Sequence, residues 1–148
     1  MRAVNFFGSS HLSAKHGLPL AIRKKFSQMD QQFKLKFKLT EVLGYPGATF
    51  YHDNLLDKFV KTASDQTNDK GYNGQINVII LGSNDQREVS NLAPVEVKGA
   101  LRKFKNSLTQ LIDRMLSIKH STLILATSVL PKQHSVLQME KIVGQVVR

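Results

Sequence analysis

The sequence predicts an α/β fold in which a parallel sheet is covered by helices on both faces, and three observations carry that prediction. Ile76 to Leu81 is a six-residue run, apolar except for Asn77 and mostly β-branched, flanked by Gly74 and Gly82. Its length and branching suit a strand buried on both faces, and the flanking glycines favour a strand over a short buried helix. Segments with helical spacing alternate with strand-like segments along the whole chain. Finally, the strand-like runs end at glycine or proline and pass into polar turns, as strands that feed crossover helices do.

Taken in order, Ala3 to Phe7 is a first strand ending at Gly8. From Leu18 the positions Leu18, Ile22, Phe26 and Met29 fall at helical spacing, with Arg23, Lys24 and Lys25 turned away. Pro19 suits the first turn of that helix. Phe33, Leu35, Phe37 and Leu39 alternate with Lys34, Lys36 and Lys38, which reads as a strand with one dry face. The lysines place it at the sheet edge. A turn at Gly44 to Thr49 leads to a helix near Asp53 to Ala63. Ser64 to Gly74, rich in polar residues, reads as a mobile surface loop. After the Ile76 strand, a polar connection reaches Pro94. Val97, Leu101, Phe104, Leu108, Leu111, Ile112 and Met115 then mark a long amphipathic helix. Ser121 to Val129 is a further buried-type strand, and Ser135 to Val147 a last helix. With the second strand at an edge the expected strand order is 2-1-3-4, the beginning of a flavodoxin-like three-layer αβα sheet.

Composition narrows the function classes. The chain has 148 residues, 41% of them apolar, which fits a single domain with a real core. No apolar run approaches the ~20 residues of a membrane span, and Met1 to Gly8 is too short for a signal peptide. The absence of cysteine excludes disulfides, thiolate chemistry and cysteine-based zinc sites. An intracellular setting, cytoplasmic or nuclear, is the default expectation. The net charge of +10 makes nucleic acid or another polyanion a candidate partner. A surface tuned for solubility explains the same charge equally well.

Three turns follow the first three strands: Gly8-Ser9-Ser10-His11, Pro46-Gly47-Ala48-Thr49 and Gly82-Ser83-Asn84-Asp85. In a parallel sheet they converge on the carboxyl edge, where open α/β sheets place their ligand sites. A serine exposed on such a turn is a candidate nucleophile. A glycine N–H, an asparagine side-chain N–H and the serine's own N–H supply three donors for a tetrahedral oxyanion. Ordinary turns are the competing reading, since Gly, Asn, Asp and Ser are common turn residues.

Together these residues resemble the SGNH, or GDSL-type, hydrolases, which are serine esterases and lipases. Gly8-Ser9-Ser10-His11 is similar to the first block of that family, Pro46-Gly47-Ala48-Thr49 to the second, and Gly82-Ser83-Asn84-Asp85 to the third. The resemblance spans the chain. It implies an esterase domain with Ser10 as nucleophile, Gly47 and Asn84 as oxyanion donors, a small ester as substrate and no cofactor. Ser9 stands where the family usually has Asp. The family's last block, Asp-x-x-His after a fifth strand, has no match after Leu130. The chain is therefore expected to be a C-terminally incomplete domain with weak or no turnover, and with an open sheet edge inviting self-association. His52 is the one candidate substitute base. His11 is adjacent to Ser10 but points elsewhere, and His16, His120 and His134 read as surface residues. No zinc-ligand spacing is present. The alternative is a non-catalytic module of the same fold that binds a partner through its basic surface. Segments in proteins of some LINE-type retrotransposons resemble such domains, which would suit a nucleic-acid setting.

Overall fold

The computed structural model describes residues 1–13, 17–50, 53–126 and 145. The elements run β1 (Arg2–Gly8), α1 (Ser10–Ser13), α2 (Leu18–Phe33), β2 (Phe37–Gly44), α3 (Asp53–Asn68), β3 (Gln75–Ile80), α4 (Ser83–Ser90), α5 (Pro94–Leu116) and β4 (Ser121–Ala126). The four strands form one sheet in the order β2-β1-β3-β4, and every pairing is parallel. The fold is a three-layer α/β sandwich, as the alternation of elements predicts.

Two neighbouring phenylalanines of β1 show how the layers are built. Successive strand residues face opposite sides of a sheet. The Phe6 ring meets Phe26 of α2 edge-on at 6.1 Å, whereas Phe7 meets Phe59 of α3 at 5.1 Å. Helix α2 therefore covers one face, and α3 covers the other. Helix α5 lies in the same layer as α3: its Leu101, Phe104, Leu108, Leu111 and Met115 join Phe7, Phe59 and Ile79 in one buried cluster. Full burial of each such side chain contributes about 1.5–3 kcal/mol, so the α3–α5 face holds most of the core.

That face also carries polar residues. Along β3, Gln75, Asn77 and Ile79 are buried, while Ile76, Val78 and Ile80 are only half-buried. The expectation of a strand buried on both faces is thus met on one. Asn5 Nδ2 donates to Asn77 Oδ1 at 2.8 Å and to Gln75 Oε1 at 3.3 Å. Thr40 Oγ1 donates to Asn5 Oδ1 at 2.6 Å, and Asn77 Nδ2 donates to Ser121 Oγ at 3.3 Å. Gln75 Nε2 closes the set on the Ala63 carbonyl of α3 at 2.8 Å. The network crosses all four strands. Thr40 is the extra residue where the β1–β2 register shifts between Val4 and Asn5.

Several boundaries differ from the sequence reading. Phe33 ends α2 and is 63% exposed, and β2 begins only at Phe37. Lys34 adopts φ 48° and donates its N–H to Asp30, terminating the helix in a left-handed cap. The Phe–Lys alternation thus spans a helix end and a strand start, although the strand is at an edge as expected. The segment 64–68 is helical rather than loop, because Asp65 pairs with Lys61 at 3.0 Å and Gln66 is fully buried. The polar stretch after Gly82 forms α4. The expected last helix, apart from Gln145, and the continuation of β4 to Val129 lie outside the described residues. No helix among the described residues is long and apolar enough to cross a membrane.

Candidate active site

In the sheet register Gly8 lies beside both Gly44 and Ile80, so the first three strands end level. The turns bearing Ser10, Gly47 and Asn84 therefore leave from one edge. Glycine at two strand ends lets α1 sit directly on the sheet. A Cβ at Gly44 would collide with the Ser9 carbonyl and approach Leu12 C and Ser13 N at 2.6 Å; one at Gly8 would reach Ile80 O at 2.7 Å. Backbone atoms cannot give way cheaply, so these glycines fix where Ser10 starts its helix. Tyr45 N–H donates to the Gly8 carbonyl at 3.0 Å, joining the first turn to the second. Ser10 itself is exposed, and its carbonyl accepts Ser13 Oγ at 2.8 Å.

The third turn depends on Gly82, whose φ of 118° is a conformation that side-chain-bearing residues rarely adopt. It swings the chain from β3 into α4, so that Asn84 and Asp85 enter the first turn of the helix, both buried. From there they hold the second turn on two sides. Asn84 Nδ2 donates to the Ala48 carbonyl at 3.0 Å, and Asp85 Oδ1 accepts the Phe50 N–H at 2.8 Å. Arg87 donates to Asn84 Oδ1, which fixes which end of the amide faces Ala48. Gly47, with φ 75°, lies one residue before this clasp, and a Cβ added there would meet nothing within 4 Å.

Asp85 is electrostatically unusual. It is fully buried, and its Oδ2 has no hydrogen-bond partner among the described residues. Burial pushes the carboxyl up to about 7; the N–H groups of Phe50 and of Asp85 itself pull it down, and the Glu88 charge adds to the rise.

Gly47 and Asn84 thus belong to one hydrogen-bonded unit, and Ser10 stands at the same sheet edge on the adjoining turn. Residue 52, the candidate base, lies outside the described residues, as do His16 and His134. His11 follows Ser10 in α1 and is exposed. Sequence reading placed Asp85 and Gly44 in their turns without giving either a role, and passed over Arg87. A signal existed for Arg87, three residues after Asn84 and hence on the same helix face. None existed for Gly44, whose role depends on the later docking of α1.

The two basic clusters do not form one surface. Arg23, Lys24 and Lys25 ride on α2, while Lys98, Arg102, Lys103 and Lys105 ride on α5, in the opposite layer. Among the described residues no group of three or more His, Cys, Asp or Glu is placed to hold a metal ion.

No protein-family model matches the chain, and no curated protein matches it in sequence. Solved structures do resemble it. A variant of Axe2, an acetyl xylan esterase from Geobacillus stearothermophilus, aligns with TM-score 0.69 and 16% identity over 99% of this chain and 72% of that one. A variant of the esterase AlinE4 aligns with TM-score 0.60 and 18% identity over 99% and 70% of the two chains. The acetyl xylan esterase AlAXEase aligns with TM-score 0.61 and 14% identity over 98% and 72%. At these identities the likeness is one of fold: this chain has an esterase-like three-layer α/β fold.

Proposed function

We propose that the chain is an SGNH-type serine esterase domain that cleaves small acyl esters, with Ser10 as nucleophile. In this reading the N–H groups of Ser10 and Gly47 and the Asn84 side chain stabilise the tetrahedral oxyanion. The observation that carries it is the clasp at the sheet edge: Asn84 is bonded to Ala48, the residue after Gly47, and both turns adjoin the one bearing Ser10. Asn84 Nδ2 bears two hydrogens, and Ala48 takes one of them. Attack by Ser10 Oγ on the ester carbonyl would form the new C–O bond and put negative charge on the former carbonyl oxygen. Fixed donors at that position are worth roughly 10²–10³ in rate each.

Such attack also requires a base to take the Ser10 proton. No Asp-x-x-His pair follows Leu130, so turnover by the 148-residue chain is expected to be weak. Serine hydrolases stripped of their triad retain roughly 10³–10⁴-fold over water from the oxyanion hole and binding. Because two of the structural neighbours are acetyl xylan esterases, p-nitrophenyl acetate is the first substrate to try, with the butyrate ester as a longer comparison. The test is turnover by the purified chain and by Ser10→Ala and His52→Ala variants. Faint turnover that depends on Ser10 supports the reading. Turnover unaffected by Ser10→Ala overturns it, and loss in both variants makes His52 the base. The net charge of +10 favours a second reading, a non-catalytic module that binds a polyanion. Heparin and nucleic-acid titration at low and moderate salt tests it.

A further inference from the structure

A parallel sheet gathers the starts of its strands as surely as their ends. At the edge opposite Ser10, the segments leading into all four strands meet. Arg2 N–H donates to the Lys36 carbonyl at 3.0 Å, Ala3 N–H to Gly74 at 2.9 Å and Gln75 N–H to His120 at 3.0 Å. Two cavities open here. One, of about 530 Å³, is lined by Arg2, Lys36, Asn73 and His120 among others; the second, of about 420 Å³, is lined by Lys119, Tyr72 and again Asn73 and His120. Sharing two residues, they adjoin as one groove.

The groove's chemistry is one-sided. Among the described residues no carboxylate lines either cavity. Among the described residues Arg2, Lys36 and Lys119 take part in none of the ion pairs, which join Lys61–Asp65, Lys70–Glu41 and Arg114–Asp57. His120 lines both cavities with φ 56°, a left-handed conformation that non-glycine residues rarely adopt. Gly74 permits it: a Cβ there would stand 2.9 Å from the His120 carbonyl. Arg2, Lys36 and Lys119, from the entries to β1, β2 and β4, therefore bring three cations to one concave surface, with the Asn73 amide and the His120 ring between them.

We propose that this groove binds a chain of phosphate groups. Cations spread over two adjoining cavities suit a ligand with a charge at every repeat, which a single carboxylate cannot supply. The proposal does not depend on the esterase reading, because the groove lies at the other edge of the sheet. It also puts the functional part of the +10 charge away from the α2 and α5 clusters.

The experiment is fluorescence anisotropy of a labelled single-stranded oligonucleotide at low salt, competed by tripolyphosphate. The groove variant is Arg2→Gln/Lys36→Gln/Lys119→Gln. A control with the same charge change is Lys24→Gln/Lys98→Gln/Lys105→Gln. The expected result is at least a tenfold loss for the groove variant and less than threefold for the control. The slope of log affinity against log salt should also fall by about 2 in the groove variant. If the oligonucleotide binds tighter than tripolyphosphate, the ligand is a nucleic-acid backbone; the reverse order assigns a free polyphosphate. Equal losses in both variants, no binding at low salt, or binding only to phosphatidylserine vesicles would overturn the proposal. Amide shifts of the native chain on adding tripolyphosphate read the site without any variant. They should centre on Asn73, Gly74 and His120, and shifts centred on α2 or α5 would count against it.

Discussion

Asn5, Asn77 and Gln75, running from the start of β3 into the middle of the sheet, are as buried as Asp85 at its carboxyl edge, yet the two regions satisfy their polar atoms differently. Every side-chain nitrogen and oxygen of the three amides has a partner, from Thr40 on β2 to Ser121 on β4 and Ala63 on α3. Asp85 has one oxygen on Phe50 N–H and leaves the other without a partner among the described residues. A completed buried network rigidifies a core, whereas an unpaired buried oxygen costs free energy. The middle of the sheet is built for register and stability. At the edge, stability is surrendered for the placement of one turn, which is where functional sites commonly depart from good packing.

The largest effect should come from breaking the completed network. Asn5→Leu strands Asn77 Oδ1 and Gln75 Oε1 at once, leaving the Thr40 hydroxyl only the Val4 carbonyl at 3.3 Å, and should destabilise the fold by about 3–5 kcal/mol. Urea unfolding measures this. A loss under about 1 kcal/mol would mean that the amides do not hold the sheet.

At the edge the sign reverses. A carboxyl whose folded pKa is raised to about 7 binds its proton more tightly when folded. Its contribution is therefore most favourable below about pH 4, declines as pH rises towards 7, and is flat above. Asp85→Asn should remove that decline and stabilise the protein at pH 8 by about 1–3 kcal/mol, because no buried charge remains. Parallel unfolding curves for wild type and variant from pH 4 to 8 check this. A variant less stable than wild type at pH 8 would show that the carboxylate is well accommodated.

A smaller effect should follow from Gly82→Ala, which forces a side chain into positive φ and should cost about 1–2 kcal/mol. Gly47→Ala should cost about 1 kcal/mol, since φ is positive there too but nothing crowds the position. If Gly47 and Asn84 act as a unit, Gly47→Ala should lower any Ser10-dependent turnover more than its modest stability cost explains. Equal turnover in both proteins would separate Gly47 from the site.

Much of the fold was legible because it rests on local pattern. The Ile76 run, the spacing from Val97 to Met115 and the glycine-ended strands are readable along the chain, and with an edge position for β2 they give the strand order. The β2 start was misread because Phe33 to Leu39 alternates whether Phe33 ends a helix or begins a strand; only the Lys34 cap decides. Ser64 to Asn68 looked like loop because its polar residues hide Gln66, whose burial depends on tertiary packing. Ser10, Gly47 and Asn84 were nameable from the turn motifs. The bonds of Asp85 to Phe50 and Asn84 to Ala48 span 35 and 36 residues, and no local pattern encodes them.

If the edge turns assemble a nucleophile with its oxyanion donors, as proposed, a covalent probe of reactive serines should be captured there. The chain is incubated with a fluorophosphonate, which needs a reactive serine and a hole for its phosphoryl oxygen, and the adduct is mapped by peptide mass spectrometry. The expected result is slow labelling at Ser10, and not at Ser9, Ser13 or Ser83. Ser10→Ala should abolish it, and Asn84→Ala should slow it by roughly 10²-fold, the loss of one donor. Labelling scattered over several serines, or an unchanged rate in Asn84→Ala, would contradict the account.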